Sequence, residues 1–425
     1  MSFEVKEHRL ESICLLVVDC PHATPKWTDS GVVVLRNQNI KGGRLDLSSP
    51  SYTDEEHYLG RTKRAVPQAG DIVITREAPM GDVCQIPEGL KCCLGQRQVL
   101  LRPDPKKVDS RFLLYALQSP YIQHQIGWNE GTGSTVSNLR IPVLEALSVP
   151  TPELAVQREV AETLGAIDDR ITLLRETNTT LEAIAQALFK SWFVDFDPVH
   201  AKMQGRAPEG MDEGTAALFP DSFEESELGP VPKGWRSSTL GKSFELTMGQ
   251  SPPGDTYNQS EDGLPFYQGR TDFGFRFPTK RIFCNAPTRL AEIGDALVSV
   301  RAPVGDVNMA IERCCIGRGV ASVRHQSGCV GYTLYAMKNL GAHFKNFDTE
   351  GTIFGSINKK DFEALPVVVP SQGVLVAFDE ISKALDGSIE INEQKIRVLV
   401  ETRDTLLPRL ISGQLQIEEV TEALP

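Results

Sequence analysis

The stretch Gly70-Asp71-Ile72-Val73-Ile74-Thr75-Arg76-Glu77-Ala78-Pro79-Met80-Gly81-Asp82-Val83 returns as Gly294-Asp295-Ala296-Leu297-Val298-Ser299-Val300-Arg301-Ala302-Pro303-Val304-Gly305-Asp306-Val307. Seven of the fourteen positions are identical. Working outward, Cys92-Cys93-Leu94-Gly95 is matched by Cys314-Cys315-Ile316-Gly317, Glu130-Gly131-Thr132 by Glu350-Gly351-Thr352, and Glu145-Ala146-Leu147 by Glu363-Ala364-Leu365. Four matches in the same order, with a slowly drifting offset, mark a duplication of about half the chain. Each quoted stretch reads as a strand entered from a Gly-Asp turn and closed by a proline. Apolar patches such as Phe112–Leu117 and Tyr332–Met337 read as helices. Each repeat body is therefore expected to be a mixed α/β globule.

Each repeat is followed by an amphipathic run. Leu164, Ile167, Ile171, Leu174, Asn178, Leu181, Ala185 and Leu188 follow the 3-4 spacing of a coiled-coil seam. The second copy places Ser382, Leu385, Ile389, Asn392, Ile396, Leu399, Arg403 and Leu406 at the same intervals. An Asn in each, Asn178 and Asn392, fits a residue that fixes register. Packing on its own globule would also explain either stripe; the duplication favours mutual pairing. The expected organisation is a globule over 1–150, a helix over 151–197, a Pro/Gly/acidic linker over 198–232, a second globule over 233–366 and a second helix over 367–425.

The 425 residues carry a net charge of −12, unevenly spread. Residues 1–150 are neutral overall and 230–366 are net +3, whereas 151–229 carry −10 and 367–425 carry −5. Whole-chain acidity thus does not exclude basic grooves on the globules. No apolar run reaches membrane-spanning length. The charged N-terminus predicts no secretory leader, and nine Cys without a CxxC spacing predict reduced thiols in a cytoplasm. The adjacent Cys pairs read as buried strand residues.

No catalytic constellation emerges. Gly241-Lys242-Ser243 lacks the upstream glycine of a phosphate-binding loop, and Gly317-Arg318-Gly319 is an incomplete dinucleotide fingerprint. The Asn/Asp-Pro-Pro-aromatic pocket motif of amino-methyltransferases is absent. No Pro-Asp pair precedes a carboxylate-x-Lys triplet, and the seven His show no metal spacing, so no metal site is expected. The chain reads as a binder or scaffold rather than an enzyme.

Several strings resemble the specificity subunit of type I restriction–modification systems. They are Pro232-Lys233-Gly234-Trp235 with Thr239-Leu240-Gly241, the two Gly-Asp strands, Val149-Pro150-Thr151-Pro152 with Val368-Val369-Pro370, and Leu406-Leu407-Pro408-Arg409-Leu410-Ile411-Ser412-Gly413. Gln157 keeps part of the family's Glu-Gln helix start; Val374-Leu375-Val376 keeps neither residue, and Arg9-Leu10-Glu11 lacks the Gly-Trp opening. The resemblance implies two target recognition domains joined by two long antiparallel coiled-coil helices, with pseudo-two-fold symmetry. It implies a non-catalytic subunit that reads a bipartite site on double-stranded DNA. Two methyltransferase subunits and the restriction subunits would be its partners. S-adenosylmethionine, ATP and Mg would then belong to those partners and no cofactor to this chain. Two alternatives stay open: a specificity subunit of a combined methyltransferase–nuclease system, and a coiled-coil adaptor that never touches DNA. A methyltransferase or nuclease acting alone is the rival from another class.

Base readout uses Arg, Lys, Asn, Gln and hydroxyl side chains on loops. In the first globule the candidates are Arg36, Asn37, Gln38, Asn39, Arg76, Thr132, Ser134, Asn138 and Arg140. In the second they are Gln268, Arg270, Thr271, Asp272, Arg301, Thr352, Ser356, Asn358, Lys359 and Lys360. Arg76 and Arg301 are read as counterparts.

Overall fold

The repeated Gly-Asp turns explain the first level of structure. In the computed structural model, which describes residues 5–128, 138–349 and 355–417, Gly70 and Gly294 have φ of 86° and 84°. That left-handed conformation suits glycine. The following Asp71 accepts the Gln68 N–H at 2.9 Å and a two-pronged contact from Arg102, both prongs at 2.8 Å. Asp295 repeats this with the Glu292 N–H at 2.8 Å and Arg324 Nε at 2.6 Å. At the other end of the strand, the Thr75 hydroxyl accepts the Asp82 N–H at 3.0 Å, and the Ser299 hydroxyl accepts the Asp306 N–H at 2.9 Å. The identities between the repeats are thus the residues that build one strand and its two turns.

The chain forms two compact units, residues 1–173 with 396–425 and residues 174–395. In the first, a four-stranded antiparallel sheet has the order Cys14–Asp19, Gln98–Pro103, Ile72–Thr75, Val83–Gln85. A second sheet places Val32–Leu35 antiparallel to Ser51–Thr53 and parallel to Cys92–Leu94. Helices Ser110–Gln118 and Pro120–Gly127 cover the core, which contains Ile72, Val99, Phe112 and Leu113.

The second unit repeats this topology. Its four-stranded sheet runs Phe244–Met248, Val320–His325, Ala296–Ser299, Val307–Met309. Leu264–Tyr267 pairs in parallel with Cys314–Ile316, as Val32–Leu35 does with Cys92–Leu94. Both Cys pairs lie buried on these strands. Burial pushes the Cys92 and Cys314 thiols up to about 12, so they are packing groups rather than nucleophiles.

Two 40-residue helices, Leu154–Phe193 and Gln372–Ile411, each contribute to both units. Within the first unit, Asp168 accepts from Arg403 at 2.9 Å, and Leu164 shares a core with Leu407 and Leu410. Within the second, Asn178 bonds Asn392, and Phe189 meets the edge of Phe378 at 5.7 Å between centroids. In each unit the two helical segments therefore run antiparallel. The expected stripe holds at Leu164, Ile167, Ile171, Leu174, Asn178, Ile389 and Ile396, all buried apart from the partly exposed Asn392 partner. It shifts elsewhere. Leu181, Leu385 and Leu406 are half-buried, and their neighbours Glu182, Asp386 and Leu407 face inward instead; Leu399 is half-buried too. An α-helix drifts from a strict 3.5-residue repeat, so the inward face migrates by one residue.

The segment 198–232 corrects an expectation. It is not a bare linker: it forms helices Asp197–Met203 and Glu213–Ala217 and a hairpin of Phe223–Ser226 with Gly229–Pro232. Val199, Phe219 and Val231 are buried, and Phe219 meets Trp192 edge-on at 5.1 Å. Pro198 opens a helix, where its missing N–H costs nothing. Pro198 thus starts a helix and Pro232 ends a strand, while Pro208 and Pro220 lie between elements. The following Trp235 turns into the same core beside Phe193 and Phe196. The second long helix also starts regularly without the Glu-Gln pair. Gln157 in the first helix accepts the Asp109 N–H at 2.8 Å and donates to Pro152 O at 2.8 Å, whereas buried Leu375 relies on apolar packing.

Candidate nucleic-acid interface

Loops at the ends of the duplicated strands meet at one edge of each unit. In the first unit, Arg76 N–H donates to Arg97 O at 2.8 Å and Leu139 N–H to Arg76 O at 2.9 Å. The Asn37 amide reaches Glu77 O at 2.5 Å. The segments around Arg36, Arg76, Arg97 and Arg140 are thereby brought together. In the second unit, Val300 N–H donates to Gly319 O at 3.0 Å, Ile357 N–H to Val300 O at 3.1 Å and Gly319 N–H to Gln268 O at 3.1 Å. The segments around Gln268, Arg301, Arg318 and Asn358 converge likewise.

The side chains separate into two kinds. Arg36 and Gln38 are exposed, and the Arg36 guanidinium lies 5.3 Å from the centre of the exposed Trp27 ring. Arg140 is exposed where helix Ile141–Glu145 begins. Gln268, Arg270, Thr271, Arg301, Ser356, Lys359 and Lys360 are exposed in the second unit. Arg270 pairs with Asp306, and Lys359 with Glu363 at 3.5 Å. Exposed ion pairs of this kind hold weakly, so both cations remain available to a phosphate.

Other candidates are occupied with holding the loops. Asn39 is buried; its carbonyl oxygen accepts the Arg36 N–H at 2.9 Å and its amide donates to Asp46 O at 2.9 Å. Asp272 does the same work in the second unit, accepting the Gln268 N–H at 2.8 Å and Arg281 Nε at 3.1 Å. Arg76 points inward, with both Asp19 oxygens at 2.9 Å, Leu139 O at 3.0 Å and Asn138 Oδ1 at 3.2 Å. Asn358 caps helix Lys359–Glu363 by accepting the Asp361 N–H at 3.0 Å. In this structure Asn39, Asp272, Arg76, Asn138 and Asn358 thus build the loops that carry the exposed groups. Asn37 is half-buried by its bond to Glu77. Arg76 and Arg301 are not counterparts either. Val300 occupies the Arg76 place, with the same two backbone bonds, and Glu77 matches Arg301. Thr132, Ser134 and Thr352 lie outside the described residues.

Sequence reasoning missed Trp27 and Arg318. Arg318 sits exposed on the turn after Cys314–Ile316, its Nε 3.3 Å from the Ser251 hydroxyl. The signal was the repeated turn after each Cys pair, which places Gln96 and Arg318 at matching positions. Among the described residues, no group of three or more His, Cys, Asp or Glu is placed to hold a metal ion, and no helix is long and apolar enough to cross a membrane.

The profile described as the type I restriction modification DNA specificity domain matches residues 20–183. The chain is 27% identical over 400 residues to the putative type I restriction enzyme MjaX specificity subunit of Methanocaldococcus jannaschii, covering 91% of this chain and 88% of that one. It is 26% identical to the type I restriction enzyme HindI specificity subunit of Haemophilus influenzae, covering 67% of this chain and 73% of that one. A crystal structure of the S subunit of a type I restriction–modification system from M. genitalium has the same fold, with a TM-score of 0.57, 18% identity and 96% of both chains covered. The duplicated modules, the two long helices and these similarities agree: the chain is similar along most of its length to type I restriction–modification specificity subunits, and residues 20–183 match their DNA specificity domain.

Proposed function

We propose that this chain is the non-catalytic DNA-reading subunit of a type I restriction–modification complex, each module reading one half of a bipartite site on double-stranded DNA. The observation that carries this is the loop edge found once in each unit. Arg36, Gln38 and Arg140 project from one edge, and Gln268, Arg270, Arg301, Arg318 and Lys360 from the other. Guanidinium and amide groups of this kind can pair with base edges in the major groove, and the remaining cations with phosphates. The inward residues beneath them fix the loops, so the readers can vary without loss of the fold.

The two long helices serve as an antiparallel coiled-coil spacer between the modules, with pseudo-two-fold symmetry. They also provide the docking surface for two methyltransferase subunits, to which restriction subunits add. Their segments carry most of the negative charge, which repels DNA phosphate and suits a protein partner. S-adenosylmethionine, ATP and Mg act on the partner subunits, and the complex works in the cytoplasm. The test is co-expression with the methyltransferase subunits in a host free of other adenine or cytosine methylation. Methylome sequencing should return one motif made of two short specific parts separated by unspecified bases. A continuous motif, or methyl transfer by the purified chain alone, would contradict the proposal.

A further inference from the structure

Arg276 is fully buried, yet it belongs to the second recognition module and has no apolar role. Its guanidinium contacts three elements of the second unit at once. Nη1 donates to Asp386 Oδ1 on the second long helix at 2.6 Å. Nη2 donates to Glu182 on the first long helix and to the Tyr335 hydroxyl at 2.8 Å. Lys338 adds a contact to Glu182 at 2.5 Å. The loop bearing Arg276 is tied to its own module, because Met309 N–H donates to Arg276 O at 2.9 Å. A buried ionic group of this kind is poor evidence for added stability, since removal from water offsets the attraction. It is directional, however, because the planar guanidinium meets two carboxylates at fixed angles.

The first unit holds a related arrangement. Asp168, which matches Asp386 in the duplicated helices, accepts the Tyr115 hydroxyl at 2.8 Å, Arg403 Nη1 at 2.9 Å and Arg44 Nη2 at 3.1 Å. Tyr115 matches Tyr335, and Arg44 comes from the loop that corresponds to the Arg276 loop. The Arg44 side chain is 29% exposed and the Arg276 side chain 0%, so the second clasp is the closed one.

We infer that Arg276 is a positioning residue: by bridging Glu182 and Asp386 it fixes the angle of the second recognition module on the helix pair, and so the spacer length the protein accepts. The inference rests on the two-part reading proposed above. One base pair is about 3.4 Å along DNA. A module hinged only by apolar contacts can tilt by that much at its outer edge, whereas a guanidinium held to both helices prevents it.

The test uses the full chain assembled with its methyltransferase subunits and reads the methylated motif across a genome. Arg276→Lys keeps a buried cation but reaches one carboxylate rather than both. Its motif should keep both half-sites and spread to spacers one base pair shorter or longer. Methylation at the parent spacer should fall by up to about a hundredfold, the range for a displaced reacting geometry. Arg44→Lys, at the more open clasp, should change the spacer less. Glu182→Gln preserves side-chain shape and carries the same expectation if Arg276→Lys fails to assemble. Either variant methylating only the parent spacer at the wild-type rate would overturn the inference. A wild-type motif that is not bipartite would instead overturn the two-part reading. The clasp is then read without DNA, as faster hydrogen exchange along Val330–Asn339 in Arg276→Lys, and unchanged exchange there would overturn it.

Discussion

The side-chain amide of Asn392 donates to the carbonyl oxygen of Asn178 at 2.9 Å, and Asn178 donates in turn to Glu393 at 2.8 Å. One Asn from each long helix thus meets the other inside the shared stripe. A polar pair here is satisfied only in one register, because sliding either helix by a turn would leave the buried Asn178 amide without its partners.

Asn178→Leu should therefore destabilise the second unit by about 1–3 kcal/mol, the cost of orphaning the Asn392 and Glu393 groups. Asn178→Leu combined with Asn392→Leu should recover most of that loss. Urea denaturation of the full chain checks both, and a single variant as stable as wild type would mean that the amide pair does not hold the register.

Arg36 and Arg76 belong to the same edge, but Arg36 is exposed and Arg76 is turned inward onto Asp19. Arg36→Ala removes an exposed cation and should weaken DNA binding while changing stability by no more than about 0.5 kcal/mol. Arg76→Ala leaves Asp19 with the exposed His22 alone and frees Leu139 O, and should cost about 1–3 kcal/mol. Fluorescence polarisation with a duplex and thermal unfolding separate the two outcomes. Equal stability losses for both variants would contradict the division into readers and loop-builders.

His325 gives a pH signature. It is buried beside Phe244 and Tyr332, and burial lowers its pKa to about 4, keeping the ring neutral. Its Nδ1 accepts the Ser327 N–H at 3.1 Å, which requires that neutral form. The unfolded chain, with an ordinary His near 6.5, binds the proton more readily between pH 6.5 and 4. The contribution of His325 is therefore complete above pH 6.5 and declines as pH falls towards 4, by roughly 3 kcal/mol. His325→Phe should flatten this part of the stability–pH curve relative to wild type. Parallel curves for the two proteins would contradict the assignment.

Asp386 acts in the opposite sense. Burial raises its pKa to about 6, with Glu182 adding to the rise and Arg276 and Lys338 opposing it. The folded state holds its proton more tightly than the unfolded state does, so this group's contribution falls as pH rises from about 4 to about 6. Asp386→Asn should remove that decline, measured as the difference between variant and wild-type unfolding at pH 4 and pH 7. An unchanged difference across this range would place the proton elsewhere in the clasp.

The duplication was readable because its identities fall on residues with one local task. Gly70, Asp71, Gly81 and Asp82 make turns, and so do their counterparts, so the signal survives the divergence of everything between them. The helices were readable from their spacing. The burial of Glu182 and Asp386 was not, because the carboxylates that the drifting helix face turns inward are met by Arg276, which arrives from a distant loop. The same limit applies at the edges. Composition marks Arg76 and Asn39 as suitable readers, but only the fold shows Asp19 and Asp46 waiting for them. Residues 198–232 misled for a related reason: proline marks the ends of elements as readily as their absence, and the buried Val199, Phe219 and Val231 are too sparse to form a pattern.

Exchange of one module tests the central claim most directly. Residues 233–366 of this chain would be replaced by the corresponding module of a specificity subunit with a known, different motif, leaving both long helices in place, and the methylome sequenced in the presence of the methyltransferase subunits. The account predicts a motif in which one half-site changes to that of the donor and the other half-site is unaltered. A motif with both halves changed, or with neither changed in an active complex, would contradict the assignment of one half-site to each module.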